Sequence, residues 1–155
     1  MLDGNNVPYT PHELPQEKLG AQESAQLLGV ESFLVYKTIV AKPKDSGKPL
    51  LAVVPGNCEL DVKALADALG IKKVKVTSLQ EAERITGLKT GGISPLALIN
   101  KGFQVVVDST ALTHPQIYIS GGQRGINIQL SPHDVIKLCN ARVEKISGPK
   151  SKQMM

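Results

Sequence analysis

Lys37 is the only charge in the run Phe33–Leu34–Val35–Tyr36–Lys37–Thr38–Ile39–Val40, which is otherwise apolar, aromatic or β-branched. Read as a strand, the run places Lys37 on one face with Phe33, Val35 and Ile39. An ammonium among such neighbours must snorkel to water, meet a partner or sit in a functional cleft. From the residues alone, snorkelling at a strand edge is the simplest account. A second feature is Thr90–Gly91–Gly92–Ile93–Ser94–Pro95. Paired glycines let backbone N–H groups converge on a ligand, Ser94 adds a hydroxyl, and Pro95 stiffens the exit. A plain turn before Leu96–Ile99 explains the same residues equally well. The third is Ser120–Gly121–Gly122–Gln123–Arg124–Gly125. In its simplest reading it is a hairpin connection, although Arg124 has the chemistry to meet a phosphate or a terminal ribose. Its spacing matches neither a P-loop nor a dinucleotide fingerprint.

Other chemistries find little support. His12, His114 and His133 are isolated, with no Cys or His at metal-ligand spacing, so neither a metal nor a cofactor is expected. No G-x-S-x-G elbow is present. Cys58 and Cys139 stand far apart and read as small buried hydrophobes rather than nucleophiles or a disulfide, which suits a reducing cytoplasm.

The chain has 155 residues, enough for one domain with a real core. With two Phe, three Tyr and no Trp, that core must come from Val, Ile, Leu and Ala. The same scarcity argues against an aromatic platform for stacking a nucleic-acid strand. A net charge of +4 permits phosphate contact without requiring it. Part of the excess lies at Lys145, Lys150 and Lys152, and a domain over 1–148 followed by a flexible basic tail over 149–155 is expected. No charged-then-apolar leader and no membrane-length apolar run occur, so a cytoplasmic protein with no membrane or DNA partner is expected.

The elements that must position these residues follow local rules. Asn5 to Pro15 reads as an extended lead-in. Ala21 to Leu28 is helical and stops at Gly29, and Asp61 caps a helix over Val62–Leu69 that stops at Gly70. Phe33–Val40 and Leu50–Val54 form a hairpin across the turn at 44–47. Val74–Thr77 is a strand, and Ser78 with Glu81 forms a capping box opening a helix to about Ile85. Strands at Gln104–Asp108, Gln116–Ile119 and Ile126–Leu130 follow, and Ser131–Pro132 opens a last helix. The pattern predicts a single mixed α/β domain, mainly antiparallel.

Taken in order, Val35–Tyr36–Lys37–Thr38, Gly91–Gly92–Ile93–Ser94–Pro95–Leu96 and Tyr118–Ile119–Ser120–Gly121–Gly122–Gln123–Arg124–Gly125 resemble the YbaK/EbsC family. These are free-standing relatives of the editing domain of bacterial prolyl-tRNA synthetase, and the resemblance spans about residues 7 to 146. It implies a curved, mostly antiparallel sheet with flanking helices. It also implies hydrolysis of the ester joining a wrong amino acid to tRNA, typically in Cys-tRNA(Pro). Such editing is needed because a synthetase pocket separates similar small amino acids by only about 1–3 kcal/mol.

The same resemblance assigns roles. Lys37 would hold the 3′-terminal phosphate or ribose oxygens of the acceptor end. Gly91 and Gly92 would position the ester carbonyl and stabilise its developing charge. Ser94 and Ser120 would hydrogen-bond within a pocket that Ile93, Pro95, Gly121 and Gly122 help to shape, with Thr38 and Arg124 in supporting places. No protein nucleophile is implied; a cysteinyl substrate attacks with its own thiol. Relatives often carry Tyr near Pro11 and His12, Lys at Gln123 and Asp at Asn127. A deacylase for another ester such as Ala-tRNA(Pro), or a non-catalytic module binding tRNA or prolyl-tRNA synthetase, are the alternatives.

Overall fold

Leu50–Pro55 forms β3, a strand of six residues in which every side chain is apolar and every one is buried. Such a strand is stable only with packing on both faces. Its alternation shows both packings: Leu51 and Val53 enter one core, and Leu50, Ala52 and Val54 enter the other. The structure, a computed structural model, describes residues 8–15, 20–45, 47–99 and 101–149.

β3 lies at the centre of a five-stranded sheet. β2 (Tyr36–Pro43) pairs with it antiparallel, Lys37 opposite Val54, and β6 (Gln104–Asp108) pairs on its other side in parallel. β9 (Arg142–Glu144) extends the sheet beyond β6, and β5 (Val74–Val76) pairs with Ala41–Pro43 of β2. One face is covered by α2 (Val62–Leu69), which buries Leu65 and Ala66. The other is covered by a three-stranded sheet of β1 (Tyr9–Glu13), β8 (Ile126–Leu130) and β7 (Ile117–Ser120), with Ala82 of α3 (Leu79–Thr86) and Val135 of α4 (Pro132–Cys139). α1 (Ala21–Leu28) ends at Gly29, in the left-handed conformation at φ +74°.

The mixed, mainly antiparallel α/β reading stands, with two corrections of detail. The single curved sheet resolves into ladders of five, three and two strands, the last joining β4 (Cys58–Leu60) to β10 (Ser147–Pro149). Phe33 and Leu34 belong to a 3₁₀ turn at Ser32–Leu34 rather than to the strand, so Phe33 does not share a face with Lys37. The turn swings Phe33 outward, where it stacks on His114 with ring centroids 5.6 Å apart.

The helix ends show which capping rules held. Asp61 accepts from Ala64 N at 3.0 Å and Ser78 from Glu81 N at 3.1 Å. The expected return contact from Glu81 is replaced by an ion pair with Lys42. The lead-in is a paired strand with Tyr9 opposite Leu130, and its first residues, 5–7, lie outside the described residues. At the other end Pro149 pairs with Cys58, and residues 150–155 also lie outside them.

One buried carboxylate joins the layers. Asp108, fully buried at the end of β6, accepts from the backbone N–H groups of Ile146 at 2.8 Å and Ser147 at 2.9 Å. It also accepts from the Ser147 and Thr110 hydroxyls, and the Thr110 hydroxyl in turn meets the Tyr36 hydroxyl at 2.8 Å. Burial pushes the Tyr36 phenol up to about 12.

Candidate active site

β5 covers only the far end of β2. Among the described residues no strand pairs with Lys37 to Ile39 on that side. At this interrupted edge lies a cavity of about 320 Å³. Ala21 and Ser24 of α1 form one wall, and Tyr36, Lys37 and Thr38 of β2 another. Val76, Thr77, Leu79 and Ala82 form a third, and Thr90, Gly91, Ile93, Ser120 and Asn127 close it. Lys37, half-buried, is the one charged residue among the described residues lining it, and no His, Cys, Asp or Glu joins it there.

The two glycine loops are a single construction. Gly92 abuts the backbone of the other loop: a Cβ there would come within 2.7 Å of Gln123 Cα and 2.9 Å of Arg124 N. Ser120 Oγ donates to the Gly91 carbonyl at 3.4 Å and accepts from Gly122 N at the same distance. Gly91 itself takes φ +92°, a region open to glycine and strained for other residues.

Thr90, the entry to the first loop, is fixed from two sides. Its N–H donates to Glu83 Oε2 at 2.7 Å, and its carbonyl accepts from Arg124 Nε at 2.6 Å. The Thr90 N–H holds the Glu83 carboxyl below its ordinary value of 4.5. With its pKa lowered in the folded state, Glu83 contributes fully above that ordinary value. Its contribution is lost as pH falls through the lowered one.

Five of the residues singled out from the sequence therefore line one cavity: Lys37, Thr38, Gly91, Ile93 and Ser120. The others stand behind its walls. Gly92 donates its N–H to the Lys89 carbonyl at 2.8 Å, and the fully buried Ser94 accepts from Leu96 N at 3.1 Å. Pro95 borders a separate groove with Phe103 and Cys139. Gly121 is pressed against Ile126, Gly122 against Ala97, and Arg124 is turned to Thr90.

Sequence reasoning did not mark Glu83, Thr90, Ser24 or Thr77 as site residues. Asn127 drew notice only as a departure from the family pattern. It is 6% exposed, and its Oδ1 is buried with no hydrogen-bond partner among the described residues. A polar residue at the second position of Ile126–Leu130, buried beside Ile128, was the signal available. Among the described residues no three His, Cys, Asp or Glu gather to hold a metal ion, and no helix is long and apolar enough to cross a membrane.

A family model described as an aminoacyl-tRNA editing domain matches residues 16–138. The chain is 36% identical over 149 residues to EbsC of Enterococcus faecalis, which carries the name Cys-tRNA(Pro)/Cys-tRNA(Cys) deacylase. That match covers 95% of this chain and 90% of EbsC. The proline–tRNA ligase of Geobacter metallireducens is 26% identical over 117 residues, which are 76% of this chain and 20% of the ligase. Among solved structures, the protein APE2540 superposes with a TM-score of 0.86 at 24% identity, covering 95% of this chain and 96% of its own. A protein described as a trans-editing enzyme for prolyl-tRNA synthetase superposes with 0.79 at 23% identity, covering 95% and 92%. At such identities the two structures speak for the fold.

Proposed function

The chain belongs to the aminoacyl-tRNA editing domain family, and on that premise we propose that it frees tRNA(Pro) from wrongly attached cysteine, holding the ester while the substrate supplies the attacking group. Deacylation of mischarged tRNA is the activity that membership carries. The observation that bears most on the site is the position of Lys37, the one charged residue among the described residues lining the cavity, with Gly91 also in its wall.

Lys37 takes the 3′-terminal phosphate or ribose oxygens, where a lysine in a largely apolar cleft meets an anion at short range. The backbone at Gly91 and Ile93 holds the ester carbonyl and opposes the negative charge that develops on its oxygen. Gly92, whose N–H is already engaged, sets the shape of that loop instead. Thr38 and Ser120 offer hydroxyls, and Asn127 Oδ1 offers an acceptor to the α-ammonium group.

The cysteinyl thiol then attacks the carbonyl carbon. A C–S bond forms, the C–O bond to the ribose breaks, and the ribose oxygen leaves as the alcohol carrying the thiol proton. The product is a cyclic thiolactone and free tRNA. This route asks for no protein nucleophile, and no His, Cys, Asp or Glu stands among the described residues lining the cavity.

A deacylation panel tests the proposal: Cys-, Ala- and Ser-tRNA(Pro) and Cys-tRNA(Cys), with wild type and Lys37→Ala. Cys-tRNA(Pro) should be cleaved fastest, and Lys37→Ala should lower kcat/KM by about tenfold to a hundredfold, the scale of one charge-assisted contact. Faster cleavage of Ala-tRNA(Pro) would move the proposal to that ester. Binding of tRNA without cleavage of any ester would leave a tRNA-binding module. An unaffected Lys37→Ala would sink the site assignment alone.

Arg124 provides a second test. Removing its hydrogen bond to the Thr90 carbonyl in Arg124→Ala should lower kcat about tenfold with KM little changed, because the loop is displaced and the binding cation remains. A rise in KM alone would show that Arg124 contacts the tRNA instead. We place the reaction in the cytoplasm, where tRNA is charged, with prolyl-tRNA synthetase as a candidate partner. Co-purification of the two in the presence of tRNA checks that pairing, and no association under those conditions would count against it.

A further inference from the structure

One cluster of positive charge lies beside the cavity. Lys42 of β2 and Lys75 of β5 are cross-strand partners, and just beyond them Lys44 N donates to the Lys73 carbonyl at 3.0 Å. Lys44, Lys72, Lys73 and Lys75 are all exposed. From α3, Arg84 reaches Glu81, the carboxylate that Lys42 also engages. Segments 42–45, 72–75 and 81–84 together hold six cations and three carboxylates. Of the three, Glu81 is bound by Lys42 and Arg84, and Glu83 is turned to Thr90. The surplus is positive and faces water.

Its position gives it meaning. Val76, the residue after Lys75, lines the cavity, as do Thr77, Leu79 and Ala82 that follow along the same chain. The basic rim therefore starts where the cavity wall ends. A substrate whose reactive end enters the cavity as the terminus of a polynucleotide must bring its preceding phosphates past the surface around the mouth. Phosphates are held by Lys and Arg at a surface without base-specific contacts, and that attraction weakens steeply with salt.

We propose that Lys44, Lys72, Lys73, Lys75 and Arg84 bind the phosphate backbone of the tRNA acceptor strand while its aminoacylated 3′ end occupies the cavity. The inference rests on the deacylase reading and adds to it the surface that takes the nucleic acid. β5 is also an edge strand, and lysines on an edge discourage pairing with another chain. That role does not account for Arg84, which lies on α3 rather than on the edge strand and is largely exposed.

The test uses a rim variant, Lys72→Glu with Lys73→Glu and Lys75→Glu. Its control has the same change in net charge at exposed residues elsewhere: Lys101→Glu, Lys137→Glu and Lys145→Glu. Two substrates are compared, Cys-tRNA(Pro) and the cysteinyl ester of adenosine, which has no acceptor strand. The rim variant should raise KM for Cys-tRNA(Pro) about tenfold or more with kcat unchanged, and should hydrolyse the adenosine ester as wild type does. The slope of log(kcat/KM) against log salt should become shallower by about two, the loss of roughly three phosphate contacts.

Equal effects of the rim and control variants on KM would overturn the proposal. So would an equal loss on both substrates by a rim variant that melts as wild type does, which would place the effect of the lysines at the cavity and not on the acceptor strand. Self-association of the rim variant on gel filtration with an unchanged KM would assign the lysines to guarding the edge. Lost binding to prolyl-tRNA synthetase with an unchanged KM for free tRNA would make the surface a protein interface. Wild type inert on both substrates would instead bring down the deacylase reading on which the inference rests.

Discussion

Gly92→Ala should slow deacylation about a hundredfold, although Gly92 is not among the described residues lining the cavity. The added Cβ would lie 2.7 Å from Gln123 Cα, 2.8 Å from Gln123 C and 2.9 Å from Arg124 N. All three are backbone atoms, so no side chain can rotate away. The loops must part by some tenths of an ångström up to about one, and a reacting group misplaced by about 1 Å costs on the order of a hundredfold in rate. Strain from overpacking should lower stability by only about 1–3 kcal/mol. Single-turnover deacylation beside a thermal melt separates the two effects. Gly148→Ala, where an added Cβ meets nothing within 4 Å, serves as the control. A Gly92→Ala rate within threefold or so of wild type would show that the contact between the loops does not set the carbonyl's position.

Asp108→Ala should destabilise the fold by about 3–5 kcal/mol. The carboxylate is fully buried and accepts from three backbone N–H groups, those of Thr110, Ile146 and Ser147, and from two hydroxyls. Alanine strands the N–H of Ile146, itself fully buried, and an unsatisfied buried donor costs about 1–3 kcal/mol. Ser147→Ala removes one neutral donor and should cost about 1 kcal/mol. Urea denaturation of the three proteins measures the difference. Near-equal midpoints for Asp108→Ala and Ser147→Ala would show that water replaces the lost acceptor and that the carboxylate does not tie the segment at 146–147 to β6.

What could be read from the sequence divides along a physical line. Helix ends set by short-range chemistry were legible: Asp61 before Val62–Leu69, Gly70 after it, and Ser131 with Pro132 at the start of α4. The capping box at Ser78 was half right, because Glu81 found a stronger partner in Lys42. The strands β4, β9 and β10 escaped notice. Each has three residues, and Cys58 meets a partner ninety-one positions away at Pro149. Such strands owe their existence to pairing rather than to their own pattern.

The site divides in the same way. Lys37 and Gly91 stood out because each breaks a local rule, a charge in an apolar run and a pair of adjacent glycines. Ser94 stood out for its hydroxyl, yet that group is occupied by Leu96 N. Glu83 gave no signal, since a glutamate on an exposed helix face is ordinary. Its importance comes from Thr90, which only the folded chain brings to it.

That dependence bears on protein engineering. Transplanting the peptide from Thr90 to Pro95 onto another scaffold would carry its sequence without its shape. The shape is imposed by Glu83 from α3 and by the backbone of Gln123 and Arg124 from the opposite loop. The smallest portable unit comprises three pieces distant in the chain, and lengthening either loop in a design must be answered by a change in the other.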